Sequence, residues 1–81
     1  MRVRVLLFAR LKELSGAGCL DLEVPEGCTV REVWRRLQDL TPRLRAFSQP
    51  PLAARNLECA GADTPLSGDD EVAFLPPVSG G

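Results

Sequence analysis

The chain of 81 residues has no histidine and no tyrosine. Without histidine it lacks the usual general base near neutral pH and the usual partner of a nucleophilic serine. Ser15, Ser48, Ser67 and Ser79 therefore have nothing to activate them. Cysteine is scarce too. Cys19, Cys28 and Cys59 are odd in number, form no Cys-x-x-Cys pair and have no histidine to complete a zinc site. They read as the reduced thiols of a cytoplasmic protein. Long apolar runs are missing: nothing approaches the roughly 20 residues of a membrane span. Arg10 and Lys12 interrupt the N-terminal apolar run, which falls short of the about 7–15 residues of a secretory signal. A large charge of either sign is absent as well. Ten basic and eleven acidic side chains leave a net charge of −1, which favours neither nucleic acid nor an anionic bilayer. No glycine-rich phosphate loop is present, because Gly16, Gly18 and Gly27 fall in ordinary turns. Whatever chemistry involves this chain must come largely from partners.

What remains is a small globular composition, 44% apolar and 26% charged. A chain of this size buries only about 60% of its unfolded surface, so one domain with a modest core is expected. Residues 2–8 alternate and then turn fully apolar, the pattern of a strand that enters a sheet from an exposed end. Residues 9–14 are too short to judge by period. Residues 15–18 form a turn, and 19–24 alternate again with Leu20, Leu22 and Val24 on one face, so the two strands read as an antiparallel pair. Thr29-Val30-Arg31-Glu32 has the form of a capping box. It opens a helix whose apolar stripe is Val30, Val33, Trp34, Leu37 and Leu40, with Glu32–Arg36 and Arg35–Asp39 at i,i+4 spacing on the other face. Thr41-Pro42 starts one more short turn, and Ser48-Gln49-Pro50-Pro51 is loop. Short strands follow at 52–56 and 57–60, then a turn at 64–70, and a last strand at 71–75 with Val72 and Phe74 on one face. The order predicts an α+β roll, with a mixed sheet of four to five strands and one main helix packed on one face. The first and last strands, both strongly apolar, are its natural central neighbours.

The end of the chain is the most informative feature. Pro76 and Pro77 cannot continue a sheet ladder and stiffen the backbone into an arm that leaves the body. Val78 and Ser79 extend it, and Gly80-Gly81 has no Cβ, so it can enter a channel too narrow for any other residue. A terminal carboxylate on such an arm is a handle for another protein. The bland alternative is a frayed tail.

The opening Val5-Leu6-Leu7-Phe8-Ala9-Arg10-Leu11-Lys12-Glu13-Leu14-Ser15-Gly16 carries a resemblance, as does the ending Asp70-Glu71-Val72-Ala73-Phe74-Leu75-Pro76-Pro77-Val78-Ser79-Gly80-Gly81. With Thr64-Pro65-Leu66 between them, they closely resemble the small sulfur-carrier subunits of molybdopterin synthase, the MoaD family. The likeness covers essentially the whole chain and is weakest between residues 43 and 55. It implies a ubiquitin-like β-grasp domain over residues 1–75 and an arm over 76–81. It further implies that Gly81 is adenylated by a partner related to ubiquitin-activating enzymes, which consumes ATP. The adenylate then becomes a thiocarboxylate, whose sulfur passes to a cyclic pyranopterin precursor of molybdenum cofactor. No cofactor is implied on this chain itself, which is a carrier rather than a self-sufficient enzyme. The arm, Pro76 to Gly80, inserts into a large catalytic subunit, and Phe8, Lys12, Cys59 and Leu75 are the positions matching the family's docking patch. A hetero-oligomer of two plus two chains is implied as well.

Three positions depart from the family pattern: Arg55 and Cys59 stand where apolar or larger apolar residues are usual, and Gly68-Asp69-Asp70 replaces Asp-Gly-Asp. The last change asks Asp69 for a conformation that glycine prefers. Charge is uneven along the chain. Residues 1–56 carry ten basic and six acidic side chains, a balance of +4, while residues 57–81 carry five acids and no base, a balance of −5. An acidic flank of this kind steers an arm toward a basic pocket entrance. Asp69-Asp70-Glu71 reads as a solvated turn rather than a metal site, and Arg31, Arg35, Arg36, Arg43 and Arg45 read as a solvated face rather than an RNA surface. Three other functions compete: a ubiquitin-like modifier joined to lysines through Gly81, a sulfur carrier for thiamine or tRNA thiolation, and a plain β-grasp interaction module.

Overall fold

Alternation at Arg2-Val3-Arg4-Val5 sends valines to one side of an extended chain and arginines to the other. In the computed structural model, which describes residues 1–47 and 51–76, this stretch is strand β1 (Arg2–Leu7), with Val3, Val5 and Leu7 buried. Phe8 leaves the strand, and helix α1 (Ala9–Ser15) follows, anchored by the fully buried Leu11. Gly16 ends it at φ 79°, a left-handed cap that costs glycine little. Strand β2 (Cys19–Glu23) returns antiparallel to β1, with Val5 opposite Leu20 and Val3 opposite Leu22. The two strands pair as their alternation predicts, but their connection contains a helix.

Helix α2 (Val30–Leu40) begins where the capping pattern places it, and Thr29 Oγ1 accepts the Glu32 N–H at 3.3 Å. Val30, Val33, Trp34 and Leu37 are buried, and the Trp34 and Phe74 rings meet at 5.5 Å between centroids. Leu40 departs from the expected stripe. It is 65% exposed, because it lies beside Leu22 and Glu23 at the free edge of β2, where no further strand covers it. The expected i,i+4 pairs do not form among the described residues. Asp39 pairs with Arg45 at 3.2 Å and Arg31 with Asp63 at 3.0 Å, and exposed pairs are weak enough for such local geometry to decide. Pro42 opens a short 3₁₀ turn, Pro42–Ala46, that buries Leu44. The predicted loop at Ser48, Gln49 and Pro50 lies outside the described residues.

Strands β3 (Leu52–Arg55) and β4 (Glu58–Ala60) form a hairpin through Asn56 and Leu57, both in left-handed backbone at φ 48° and 72°. Strand β5 (Glu71–Leu75) runs parallel to β1 and antiparallel to β3, giving the order β2-β1-β5-β3-β4. The first and last strands are neighbours, as expected, with β5 at the centre. One face of the sheet, through Val3, Val5, Leu7, Val72 and Phe74, closes on α2 to make the core. The other face is open.

Candidate functional site

The same alternation that fills the core decides what the open face displays. Its outward positions are Arg2, Arg4 and Leu6 on β1, Cys19, Asp21 and Glu23 on β2, Leu52 and Ala54 on β3, Cys59 on β4, and Glu71, Ala73 and Leu75 on β5. Register then sorts them into rows. Cys19, Leu6, Ala73, Ala54 and Cys59 lie in one line across all five strands. In the next row toward the arm, Leu75 lies opposite Leu52. In the other direction the face is charged, with Arg4 3.9 Å from Asp21 and Arg2 3.3 Å from Glu23. The open face is thus apolar at the end where the chain leaves the sheet and ionic at the other.

The root of the arm sits in the middle of the apolar half, because β5 is the central strand. The Phe8 N–H donates to the Phe74 carbonyl at 3.2 Å, which holds Phe8 beside Leu75. Phe8 is 46% and Leu75 41% exposed, so neither is a core residue. With Leu52, 56% exposed, they form an apolar cluster on the surface of a small domain. Lys12 stands apart from the rows on α1. Its aliphatic stem lies over Gly18, where an added Cβ would come within 3.1 Å of Lys12 Cε. The Leu7 N–H donates to the Gly18 carbonyl at 2.9 Å, so Lys12 is at the same end of the sheet as Phe8.

Of the four predicted docking residues, Phe8 and Leu75 are brought together. Cys59 shares their face two strands away from β5, and Lys12 flanks the same end. The sequence reading missed Leu6, Leu52, Ala54, Ala73 and Cys19, which share this face. The signal was available: Leu6 is apolar in the outward phase set by Arg2 and Arg4. Pro76 is the last described residue after β5; Pro77, Val78, Ser79, Gly80 and Gly81 lie outside the described residues.

A polar cluster gathers at the start of β5 around Asp70, which is buried rather than solvated as its turn predicts. Asp70 accepts the Ser67 N–H at 2.7 Å, Arg55 Nε at 2.8 Å and Asn56 Nδ2 at 3.0 Å. These donors, Ser67 foremost, hold its carboxyl below the ordinary value despite the opposing effect of burial. Asn56 Oδ1 in turn accepts the Glu71 N–H at 2.9 Å, and the Asn56 N–H donates to the Glu71 carbonyl at 2.8 Å. The β3–β4 hairpin is thereby clamped to the start of β5. Arg55, a departure from the family pattern, is the ion partner of Asp70, and Asp69 takes the left-handed backbone expected of it at φ 66°.

The thiols have separate settings. Cys28 is buried, and burial pushes its thiol up, with Glu32 adding to the shift. Cys19 and Cys59 are exposed at opposite edges of the sheet, about 19 Å apart by four strand spacings, too far to bridge within one chain. Among the described residues no group of histidine, cysteine and carboxylate side chains converges on a metal position. Nor is any helix there long and apolar enough to cross a membrane.

A five-stranded mixed sheet wrapped over one main helix, with the C-terminal segment issuing from its central strand, is the ubiquitin-like β-grasp. Residues 5–81 match the ThiS family, and the chain belongs to that family. It is 35% identical over 81 residues to the molybdopterin synthase sulfur carrier subunit of Arabidopsis thaliana, covering 100% of this chain and 84% of that one. It is 37% identical over 82 residues to the subunit of that name from Mycobacterium tuberculosis, covering 100% and 99%. Among solved structures it resembles small archaeal modifier protein 1 of H. volcanii, with a TM-score of 0.85, 26% identity and coverage of 95% and 98%.

Proposed function

We propose that this chain is the sulfur-carrier subunit of a molybdopterin synthase, with Gly81 as the residue that carries sulfur. The observation that carries the reading is the apolar half of the open face, with the root of the arm at its centre. Full-length likeness to proteins named as sulfur carrier subunits supports it. A carboxylate is a poor electrophile, and the sequence has no glycine-rich phosphate loop. Activation therefore falls to an adenylating partner related to ubiquitin-activating enzymes. The Gly81 carboxylate attacks the α-phosphorus of ATP and pyrophosphate leaves; sulfide, as HS⁻, then attacks the acyl carbon and AMP leaves, which gives the thiocarboxylate. In a second complex, Phe8, Leu75, Cys59 and Lys12 dock on the large catalytic subunit. The arm from Pro76 through Pro77, Val78, Ser79 and Gly80 delivers the thiocarboxylate sulfur to the cyclic pyranopterin precursor. Two carriers on a dimeric large subunit, in the cytoplasm, complete the proposal.

The test is an intact mass after incubation with ATP, an adenylating enzyme and a sulfur donor. The expected product has one oxygen replaced by sulfur, mapped to the C-terminal peptide. Gly81→Ala, or one residue added after Gly81, abolishes the product while circular dichroism stays unchanged. An unmodified wild-type chain beside a competent enzyme would overturn the sulfur-carrier reading in favour of a β-grasp interaction module. Likeness to a small archaeal modifier favours one further reading, in which Gly81 is joined to lysines of other proteins. Gly81-dependent conjugates that persist in cells lacking the large synthase subunit would establish that reading.

A further inference from the structure

β2 is an edge strand, and its hydrogen-bond phase can be assigned. The Leu7 N–H donates to the Gly18 carbonyl at 2.9 Å and the Val24 N–H to the Met1 carbonyl at 2.8 Å. Hydrogen-bonded pairs alternate along an antiparallel ladder, so Leu20 and Leu22 also turn their backbone groups toward β1. Cys19, Asp21 and Glu23 consequently turn theirs outward, and these groups have no backbone partner among the described residues. Three N–H and three C=O groups at two-residue spacing form a template for another strand. The opposite edge, β4, is three residues long and offers a shorter ladder.

Beside the β2 edge, on the helix side of the sheet, runs a groove of about 260 Å³ lined by Leu22, Glu23, Arg36, Asp39 and Leu40. Leu40, 65% exposed, supplies its apolar wall. Of its two acids, Glu23 turns its side chain to the open face, where it pairs with Arg2 at 3.3 Å, and Asp39 pairs with Arg45 at 3.2 Å. Arg36 has no ion pair among the described residues, so the groove carries a surplus positive charge. A second copy of β2 is a poor occupant, because the antiparallel register centred on Asp21 sets two aspartates face to face.

We infer that the free edge of β2 and the groove between it and α2 form a docking site for an extended partner segment. The segment adds as a sixth strand, with apolar side chains against Leu22 and Leu40 and a carboxylate against Arg36. Backbone pairing supplies affinity and the alternate side chains supply selectivity. The site lies on the helix side and edge of the sheet, away from Phe8 and Leu75, so a partner there leaves the open face and the root of the arm accessible.

The probe is a fluorescein-labelled peptide of alternating valine and threonine with two aspartates at each end. The same peptide with lysines at its ends is the control. Binding to the full chain is read by anisotropy, and the contact is mapped by amide chemical shifts and hydrogen exchange. The aspartate peptide is expected to bind, to shift Arg36 and Leu40, and to slow exchange at Cys19, Asp21 and Glu23. Arg36→Glu should weaken it by about tenfold and reverse the preference between the two peptides, since one attractive charge contact becomes repulsive. Leu40→Asp should abolish binding; both side chains are exposed, so the fold is expected to survive, as circular dichroism will show. The inference is overturned by absence of binding at millimolar peptide, by shifts confined to Ala54 and Ala73 on the open face, or by affinity unchanged in both variants. Self-association through β2 in place of peptide binding overturns it as well.

Discussion

Leu57 holds a backbone φ of 72° with its side chain 90% exposed, so nothing in the packing offsets the steric cost of the left-handed conformation. Leu57→Gly is expected to raise stability by about 0.5–1 kcal/mol, the strain relieved less the extra freedom of glycine in the unfolded chain. Chemical denaturation checks this, and an unchanged midpoint would mean the strain is already relaxed. Asp70 gives the opposite kind of prediction. Asp70→Asn turns an amide NH2 toward three donors at a buried position and should cost about 1–3 kcal/mol. The folded carboxyl lies below its ordinary value of 3.8, so its stabilising contribution is present above that pH. That contribution is lost as pH falls through the lower folded value. Acid unfolding should therefore flatten in Asp70→Asn, measured as the denaturation midpoint against pH from neutral downward. Both residues show what one position can reveal. The left-handed backbone of Asp69 was legible because Gly68-Asp69 stands where Asp-Gly is usual. The hairpin turn at Asn56-Leu57 was not, because it lacks the glycine that normally announces such a turn.

Elements were legible in proportion to their length and patterning. α2 declares itself through Thr29, Glu32 and a stripe at helical spacing, and its N-terminus falls where the cap predicts. α1, with seven residues, completes too few turns for a period to emerge. The outward phase of a strand is as readable as its inward phase. Arg2 and Arg4 followed by Leu6, and Glu71 followed by Ala73 and Leu75, record where the open face changes from ionic to apolar. Cross-strand register is what sequence hides, and it alone puts Leu52 beside Leu75 and Cys59 in line with Leu6. A prediction about the proposed docking face belongs at this scale. Leu75→Asp alters a half-exposed position, so it should leave the thermal midpoint within a few degrees of wild type. It should nevertheless abolish co-purification with a large synthase subunit. Retained co-purification would remove this half of the sheet from the interface.

At the scale of the molecule, β5 is both the last described strand and the one that joins the pairs β1–β2 and β3–β4 into one sheet. A chain ending at Asp70 should be unfolded by amide spectral dispersion, while one ending at Pro76 should keep the native pattern. A dispersed spectrum from the shorter chain would show that the two strand pairs cohere without β5. Synthesis runs from the N-terminus, so the body cannot close until its final strand has emerged. Any chain that stops before Glu71 leaves β1 without its parallel partner and Val5 and Leu7 without Val72 and Phe74 beside them, and it meets the cell's proteases as an open polypeptide. The topology thus works as a proofreading step during manufacture: a well-folded body attests that the strand leading to the arm is in place.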